Sequence, residues 1–427
     1  MLKLSLVLLI ILANLQHSIE FTPTRNLQLL TELIDESLDE KPQTNTLTHT
    51  EILRKGVLKS IVKYFKHKQQ REFESDPYRA KNDRHVEPHK IDTHYMHNIN
   101  ELYHDYFGND FDTISKCNLK LDDAIKLITD AVISVDFDPE FKDLPYAHFD
   151  ADKFVESNQH VNKLMGQVLS EIELKNYATA RKRIGQVLHT IQDFYAHSNW
   201  VEMGYANRIN EKIGSSNDDL GVDLASNHPD LISCLSENCT KQVIQCKYLK
   251  SVAALSKVFG IHLPIQCPIV YFKCGDNVIK DKLTSGYYSD QRLADDSSVD
   301  KPMNKSKCSH GGYLDKTSFE SSYGGINKDT AYFFLSPHAH LHLEAASLAV
   351  EHTEYFFDNL RQKIGDSRFD ELLQLLHAET SRFDCFFSTL FDWFLFFFVL
   401  HNFTFFEQII QFFQEIFHYQ KLTFVDI

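Results

Sequence analysis

The chain has few basic residues relative to acidic ones, and little glycine, proline or tryptophan. Its 427 residues include 44 Lys and Arg against 59 Asp and Glu, a formal net charge of −15. Proteins that bind nucleic acid generally need a basic surface to displace counterions from phosphates, so this balance argues against such a partner. With 15 Gly and 11 Pro, the chain is neither collagen-like nor of low complexity. Hydrophobic residues make up 43%, which is sufficient for a globular core.

The first residues are typical of a secretory signal peptide. Lys3 precedes an apolar run over residues 4–15 that is too short to span a bilayer comfortably. We therefore expect a cleaved signal peptide over residues 1–20, a linker over 21–47, and a secreted, extracellular protein. Small residues suited to a cleavage site are sparse, so an uncleaved anchor is the alternative.

Export would place the eight cysteines of the chain in an oxidising compartment. Six of the eight lie between residues 234 and 308, whereas Cys117 and Cys385 stand apart. In an oxidising compartment this clustering predicts a disulfide-bonded, loop-rich insertion over residues 205–330. The pairing is open, and a cysteine-zinc site is disfavoured because the spacings exceed the usual two to four residues. Sequons at Asn238, Asn304 and Asn402 agree with a secreted glycoprotein.

Hydrophobic periodicity is mostly helical and predicts a mainly α fold. Thr48 and Glu51 form a capping box, so we expect a helix to begin there with His49 in its first turn. Further helices are predicted over 121–135, 149–174, 178–200 and 369–376. Another is predicted to open at Ser336, with Pro337 in its first turn, and to run to about residue 362. Residues 48–375 are thus expected to form one helical domain.

Residues 376–427 have a different composition. Between Phe383 and Phe417 stand 14 of the 33 Phe residues, and Cys385 to Phe406 carry a single charge, Asp392. This stretch is long enough for a membrane span. A low-complexity tail, or a translated non-coding stretch, explains it equally well.

The strongest chemical signal lies on the helix predicted over 178–200. His189, Asp193 and His197 are spaced four residues apart, so they stack along one helix face. Apolar neighbours surround that face, and an unpaired carboxylate there would cost several kcal/mol. A divalent metal bound by two neutral imidazoles and a carboxylate satisfies all three groups. The alternative is a hydrogen-bonded His-Asp-His network. Gly185 would let another helix approach closely.

Two further ligand candidates precede this helix in the chain. Asp136 lies at the end of the helix predicted over 121–135, twelve residues before His148. Each residue taken alone could equally cap a helix or lie on the surface.

The last long helix carries three histidines that must be sorted by face. His338 and His342 share a face of small and apolar residues, whereas His340 and Glu344 share a charged one. We therefore predict His338 and His342 as metal ligands. His340 with Glu344, an i, i+4 pair of suitable type, is the rival.

Several of these motifs resemble a known family. The segments are THTEI at 48–52, HFDAD at 148–152, LHTIQDFYAHSNW at 188–200, LTSGY at 283–287, KCSHGG at 307–312 and GINKD at 325–329. They resemble the N-terminal region of the von Willebrand factor A domain-containing protein 7 family, including Het-C-like proteins, over about 45–375. The order of His and Asp residues is more distantly similar to the zinc-dependent phospholipase C and P1 nuclease group.

The resemblance implies a helical bundle around a zinc site that activates water against a phosphodiester. It implies that the ligands are His49, Asp136, His148, His189, Asp193, His197 and a histidine of the last helix. More than one zinc ion is implied, with Asp136 as bridging ligand or catalytic general base. The phospholipase group differs by separating its Asp from the next His by two more residues, and by using an N-terminal Trp as ligand.

Two functional classes follow. The first is a secreted, zinc-dependent phosphodiester hydrolase of the phospholipase C type. The second is a non-catalytic extracellular adhesion or matrix module in which metal and disulfides are structural. Phospholipid or extracellular matrix is the expected partner. The family continues into a von Willebrand A domain, and residues 421–427 resemble its first strand, so the tail is also interpreted as the truncated start of that domain.

Overall fold

The computed structural model describes residues 45–75, 119–228, 230–244, 268–303 and 305–375. Its α-helices are α1 (His49–Ser75), α2 (Leu119–Ser134), α3 (Phe154–Glu173), α4 (Tyr177–His197), α5 (His342–Ile364) and α6 (Asp366–Leu373). An antiparallel ribbon joins β1 (Cys239–Ile244) to β2 (Ile269–Cys274). The mainly α fold is confirmed. The predicted signal peptide and the tail over 376–427 lie outside the described residues, as does most of the linker.

Local sequence signals set several helix ends. The Thr48 amide donates to the Glu51 carboxylate at 2.9 Å, and the Glu51 amide donates to Thr48 Oγ1 at 3.2 Å. This reciprocal capping box places His49 at the first position of α1, as predicted. Between α3 and α4, Lys175 adopts a left-handed φ of 58°. That conformation interrupts the helical path where the sequence predicts a break.

The last long helix begins later than the sequence predicts. Ser336 does not cap it, because its hydroxyl accepts a hydrogen bond from the Thr330 amide at 2.9 Å. A 3₁₀ turn covers Ala339–Leu341, and the α-helix starts only at His342. The expectation of a continuous helix from Ser336 was therefore wrong.

Helix α4 lies at the centre of the core and packs against α2, α3 and α5. Gly185 makes the α2 contact close, since a Cβ at this position would stand 2.5 Å from the carbonyl oxygen of Ile128. The predicted close helix approach is confirmed. Across the described part of the chain, none of the helices has the length and apolar character needed to span a bilayer.

The described part of the 205–330 insertion consists of loops, short 3₁₀ turns and the ribbon. Disulfides link Cys234 to Cys308 and Cys239 to Cys274. These pairings confirm a disulfide-bonded insertion and leave these four thiols unavailable to zinc. The other four cysteines lie outside the described residues: Cys117, Cys246, Cys267 and Cys385.

Candidate metal centre

The central helix α4 presents its His-Asp-His face to the protein interior. His189, Asp193 and His197 are each 0% exposed. Three other chain segments bring His49, Asp136 and His148 to the same face. His49 opens α1, Asp136 follows the end of α2, and His148 follows the 3₁₀ turn Pro145–Ala147.

We call His49, Asp136, His148, His189 and Asp193 the first cluster. His189 Nε2 lies 2.8 Å from Asp193 Oδ2 and 3.3 Å from Asp136 Oδ1. His148 Nδ1 lies 3.0 Å from both Asp193 Oδ2 and His189 Nε2. Ligand atoms on one tetrahedral zinc ion, with bonds of about 2.0–2.1 Å, stand about 3.3 Å apart. The spacing of these atoms of Asp136, His148, His189 and Asp193 therefore fits a shared ion with little rearrangement.

The contact between His49 and Asp193 gives a stereochemical reason for a cation. His49 Nδ1 lies 2.7 Å from Gln192 Oε1, while Gln192 Nε2 donates to Thr353 Oγ1 at 3.2 Å. This amide orientation makes His49 Nδ1 the donor, so neutral His49 carries a lone pair on Nε2. That lone pair faces Asp193 Oδ1 at 3.3 Å. Two acceptors that face each other need a positive ion between them, or a proton on the imidazole.

We call Asp150, His197, His310 and Asp329 the second cluster. His197 ends α4, and its Nε2 lies 3.1 Å from Asp329 Oδ1. Its Nδ1 lies 3.0 Å from the carbonyl oxygen of His148 and 3.2 Å from Asp150 Oδ1. Asp329 and His310 come from the loop-rich insertion, with side chains 1% and 2% exposed. The second cluster thus joins the helical core to the insertion.

Several polar atoms of the second cluster have no hydrogen-bond partner outside the cluster within the described residues. Asp329 Oδ2 and His310 Nε2 face each other at 3.3 Å, and neither has a partner beyond this contact. Asp150 Oδ1 is in the same situation, whereas its Oδ2 accepts from Gln291 Nε2 at 2.6 Å. Buried polar atoms without partners are costly, and metal coordination satisfies them. A second-shell amide that fixes one carboxylate oxygen is typical of metal sites.

The electrostatic environment keeps the carboxylates ionised. Burial alone would raise the pKa of Asp193, but His189 and His197 hold this pKa well below its ordinary value. Burial likewise opposes ionisation of Asp329, whose pKa is lowered by His197 and His310. Burial would lower the pKa of His197, and the charges of Asp150 and Asp329 raise it well above its ordinary value. The site therefore attracts positive charge, which either protons or metal ions can supply.

The loop over residues 148–152 carries one residue of each cluster and is strained. Phe149, Ala151 and Asp152 have φ angles of 56°, 54° and 57°, a region disfavoured for side-chain-bearing residues. Asp152 fixes the loop by accepting from Thr284 Oγ1 at 2.8 Å and Lys307 Nζ at 3.2 Å. Strain that persists at a cluster of polar groups is typical of functional sites.

The structure does not bring His338 or His342 into either cluster. His338 Nδ1 lies 2.6 Å from Glu202 Oε1, and its Nε2 lies 2.5 Å from Asn277 Oδ1. His342 Nε2 accepts from the Leu47 amide, and its Nδ1 donates to the Lys328 carbonyl. The prediction of both as ligands assumed a continuous helix from Ser336, and the late start of α5 changes their directions.

The rival pair is also placed elsewhere. His340 and Glu344 are exposed, and neither belongs to the groupings of metal-binding type among the described residues. The structure therefore brings together six of the eight predicted ligands: His49, Asp136, His148, His189, Asp193 and His197.

Three site residues were not predicted as ligands, namely Asp150, His310 and Asp329. All three stand in the segments that carry the family resemblance, HFDAD, KCSHGG and GINKD. No helical spacing links them to α4, since Asp329 is 132 residues from His197. The fold of the insertion brings His310 and Asp329 there, and the loop over residues 148–152 brings Asp150.

Comparison with known proteins gives the chain a family. The model of the VWA7 N-terminal domain matches residues 97–255 and 263–370. The mouse von Willebrand factor A domain-containing protein 7 is 30% identical over 283 residues, which cover 66% of this chain and 26% of that protein. The human protein is 29% identical over 261 residues, 61% of this chain and 24% of that protein.

The chain therefore spans about a quarter of the length of the curated relatives it matches. No solved structure matches it. Every residue of the two clusters except His49 falls within the matched segments. Because the family model covers more than half of the chain, this protein belongs to the VWA7 N-terminal domain family.

Proposed function

We propose that each cluster binds at least one zinc ion and that the domain is a secreted hydrolase of phosphate esters. The observation that carries the proposal is the pair of acceptor atoms His49 Nε2 and Asp193 Oδ1, which face each other at 3.3 Å, together with the buried imidazole and carboxylate atoms His310 Nε2 and Asp329 Oδ2 at the same distance. Imidazole and carboxylate are suitable ligands for zinc. The described residues contain three groupings of His and Asp that could hold a metal ion, and all three are buried.

The arrangement of α4 supports a site with more than one ion. Asp193 Oδ2 faces His148 and His189, while its Oδ1 faces His49. Asp193 would therefore offer a ligand atom to each of these two groups of histidines. His197 lies one turn further along α4 and faces the second cluster, so one helix aligns both positions. This ligand set exceeds what one structural zinc ion requires.

Zinc, when bound, lowers the pKa of a coordinated water towards about 7 and polarises a phosphoryl oxygen. The chain's own residues hold and orient the ligands. Gln192 fixes the tautomer of His49, and Gln291 fixes the carboxylate of Asp150. Asp136 lies beside His189 as a ligand, and we assign it acceptance of the proton of the attacking water as a second role. The likeness in ligand order to the phospholipase C and P1 nuclease group supports this reaction class.

Secretion is part of the proposal. The apolar N-terminal run and the disulfides Cys234–Cys308 and Cys239–Cys274 both suit an oxidising, extracellular setting. Phospholipid is the substrate class we favour, although a net charge of −15 would weaken approach to anionic surfaces.

A second candidate function is favoured by one observation. The side chains of both clusters are between 0% and 2% exposed. A structural zinc site is closed and coordinatively saturated, whereas a catalytic site keeps an open position. This burial supports a non-catalytic adhesion or matrix module whose metal ions stabilise the fold.

The test is metal content and activity of the secreted chain. Zinc per chain would be measured by plasma mass spectrometry for the natural sequence, His197→Ala and the exposed control His340→Ala. Hydrolysis of bis(4-nitrophenyl) phosphate and of phosphatidylcholine vesicles would be followed on the same samples.

Two or more zinc ions with hydrolysis, both diminished in His197→Ala and retained in His340→Ala, support the hydrolase. Bound zinc without hydrolysis of either substrate supports the structural module instead. A chain that secretes normally and holds no zinc overturns both, and leaves a hydrogen-bonded His-Asp network.

A further inference from the structure

A buried lysine lies beside the second cluster without belonging to it. Lys328 is 0% exposed, and its ammonium donates three hydrogen bonds. The acceptors are the Ser198 carbonyl at 2.8 Å, Glu202 Oε1 at 2.9 Å and the Ile326 carbonyl at 3.0 Å. An ammonium has three donors, so this buried charge is fully satisfied.

The contacts of Lys328 join the two chain segments that supply His197 and Asp329. The Lys328 amide donates to the Ala196 carbonyl at 3.0 Å, while its ammonium reaches the Ser198 carbonyl. Lys328 is therefore hydrogen-bonded to both neighbours of His197, and it directly precedes Asp329. These hydrogen bonds tie the backbone on both sides of His197 to the residue before Asp329, whose Oδ1 lies 3.1 Å from His197 Nε2.

Glu202 and His338 hold the lysine in place. Glu202 Oε1 accepts from Lys328 and lies 2.6 Å from His338 Nδ1. Burial would raise the pKa of Glu202, but the charge of Lys328 and the contact with His338 lower it to about 2. Glu202 is thus ionised. A buried ion pair of this kind adds little net stability, and its clearest use is to fix geometry.

We infer that Lys328, held by Glu202 and His338, is a positioning residue that sets the zinc affinity of the second cluster. This inference rests on the zinc-binding part of the proposed function and not on hydrolysis. It also gives a role to His338, which contacts Glu202 and belongs to neither cluster.

Arg181 offers a matched control on the same helix. It is 5% exposed, and it donates to the carbonyls of Leu372 and Glu371 in another segment. Like Lys328, it is a buried cation that joins α4 to a distant part of the chain. Unlike Lys328, it is neither adjacent in sequence nor hydrogen-bonded to a residue of either cluster within the described part of the chain.

The experiment compares Lys328→Met with Arg181→Met in the full secreted chain. Zinc would be withdrawn by a chelator of known affinity, and the affinity of each bound ion measured. We expect Lys328→Met to weaken one ion by about 10–100-fold, the range seen when groups supporting a ligand are changed. The other ion stays unchanged, and Arg181→Met binds zinc as the natural chain does.

Two backgrounds assign the affected ion to a cluster. In an Asp329→Asn chain, which lacks a ligand of the second cluster, Lys328→Met should cause no further loss. In a His148→Ala chain, which lacks a ligand of the first cluster, the effect of Lys328→Met on zinc affinity should remain in full. Equal zinc affinity in Lys328→Met and the natural chain, or a loss in the first cluster, overturns the inference.

A milder variant covers the case in which Lys328→Met fails to secrete. Glu202→Gln leaves Lys328 with its two carbonyl acceptors, so we expect a smaller loss at the same ion. Unchanged zinc affinity in Glu202→Gln would then count against the inference. A natural chain without zinc would instead overturn the proposed function before any variant is compared.

Discussion

The two clusters sit on one helix and are built in different ways. In the first cluster, His189 and Asp193 come from one helix face, while His49 and Asp136 stand at the ends of two neighbouring helices. In the second cluster, only His197 is helical, and Asp150, His310 and Asp329 come from loops. Helical packing positions the first set. The second set lies on a strained loop and a disulfide-bonded insertion, beside a buried lysine.

The candidate metal centre thus combines local and long-range specification. A four-residue spacing brings His189 and Asp193 together wherever α4 forms. No such spacing links Asp329 to His197, so hydrogen bonds and a disulfide hold their two chain segments together instead. We therefore expect the two clusters to respond differently to perturbation.

Metal removal should produce the largest effect. At free zinc about 1,000 times its dissociation constant, each bound ion stabilises the fold by about 4 kcal/mol, hence about 8 kcal/mol for two. Asp193→Asn should lose the zinc-dependent stabilisation contributed by the first cluster, and Asp329→Asn should lose that contributed by the second cluster. Thermal unfolding with zinc and with a chelator measures both shares. If either variant lost all metal-dependent stability, the clusters would not be separable.

Removal of the disulfides comes next in magnitude. Cys234–Cys308 and Cys239–Cys274 span 74 and 35 residues, so loop closure predicts a similar stabilisation of about 4 kcal/mol for each. Cys308 stands two residues before His310, whereas no residue of the second cluster adjoins Cys239 or Cys274. Replacing the Cys234–Cys308 pair by serines should release the second-cluster zinc ion and spare the first.

The other disulfide pair is the matched control for that experiment. Serines at Cys239 and Cys274 should lower the free energy of unfolding by a comparable amount while zinc stoichiometry is retained. Equal zinc loss in both double variants would show that the insertion contributes only general stability to the site.

A smaller effect is expected where α2 packs on α4. In Gly185→Ala, the new methyl group would stand 2.5 Å from the Ile128 carbonyl oxygen, and overpacking of this kind costs about 1–3 kcal/mol. Because α2 leads into Asp136, zinc affinity at the first cluster should fall and the second should be retained. Gly166→Ala, with open space at its Cβ position, should be neutral or stabilising by up to about 1 kcal/mol.

The smallest expected effect concerns acid stability of the helical core without metal. Burial lowers the pKa of His352 to about 3, and its Nδ1 lies 2.7 Å from the Tyr195 hydroxyl. The unfolded chain binds this proton below about pH 6.5 and the folded one does not, so stability falls as pH drops from 6.5 towards 3. This histidine makes the free energy of unfolding change by about 1.4 kcal/mol per pH unit in that range, and His352→Gln should lack this contribution. Chemical unfolding of the chelated protein at pH 7.0 and 5.5 measures the difference, and parallel curves would contradict it.

Sequence patterns predicted the helical part of the molecule because its signals are local. The capping box at Thr48 and Glu51 fixed the start of α1, and the small side chain at Gly185 indicated a close helix contact. Six of eight predicted ligands meet in the structure, since five of them lie on helices or at their ends. The alternative of zinc binding by cysteines was wrong for the four described ones, because they pair with each other.

Two placements were not predicted, and each has its own physical cause. His338 was placed on a helix that starts only at His342, because Ser336 bonds to Thr330 and not to the helix end. Its imidazole therefore reaches Glu202. Asp150 follows His148 by two residues but was not predicted as a ligand. A left-handed φ at Phe149 directs both side chains inward.

The sequence by itself determined the helical periodicity, the His-Asp-His face of α4 and the family to which the chain belongs. These properties depend on residue types at short, regular spacings, which the helix geometry fixes. Only the tertiary structure decided that Asp150, His310 and Asp329 complete a second cluster, and that Lys328 joins its two sides. Contacts between residues far apart in the chain carry no periodic signal, so the packing of the 148–152 loop and of the insertion against α4 decided them.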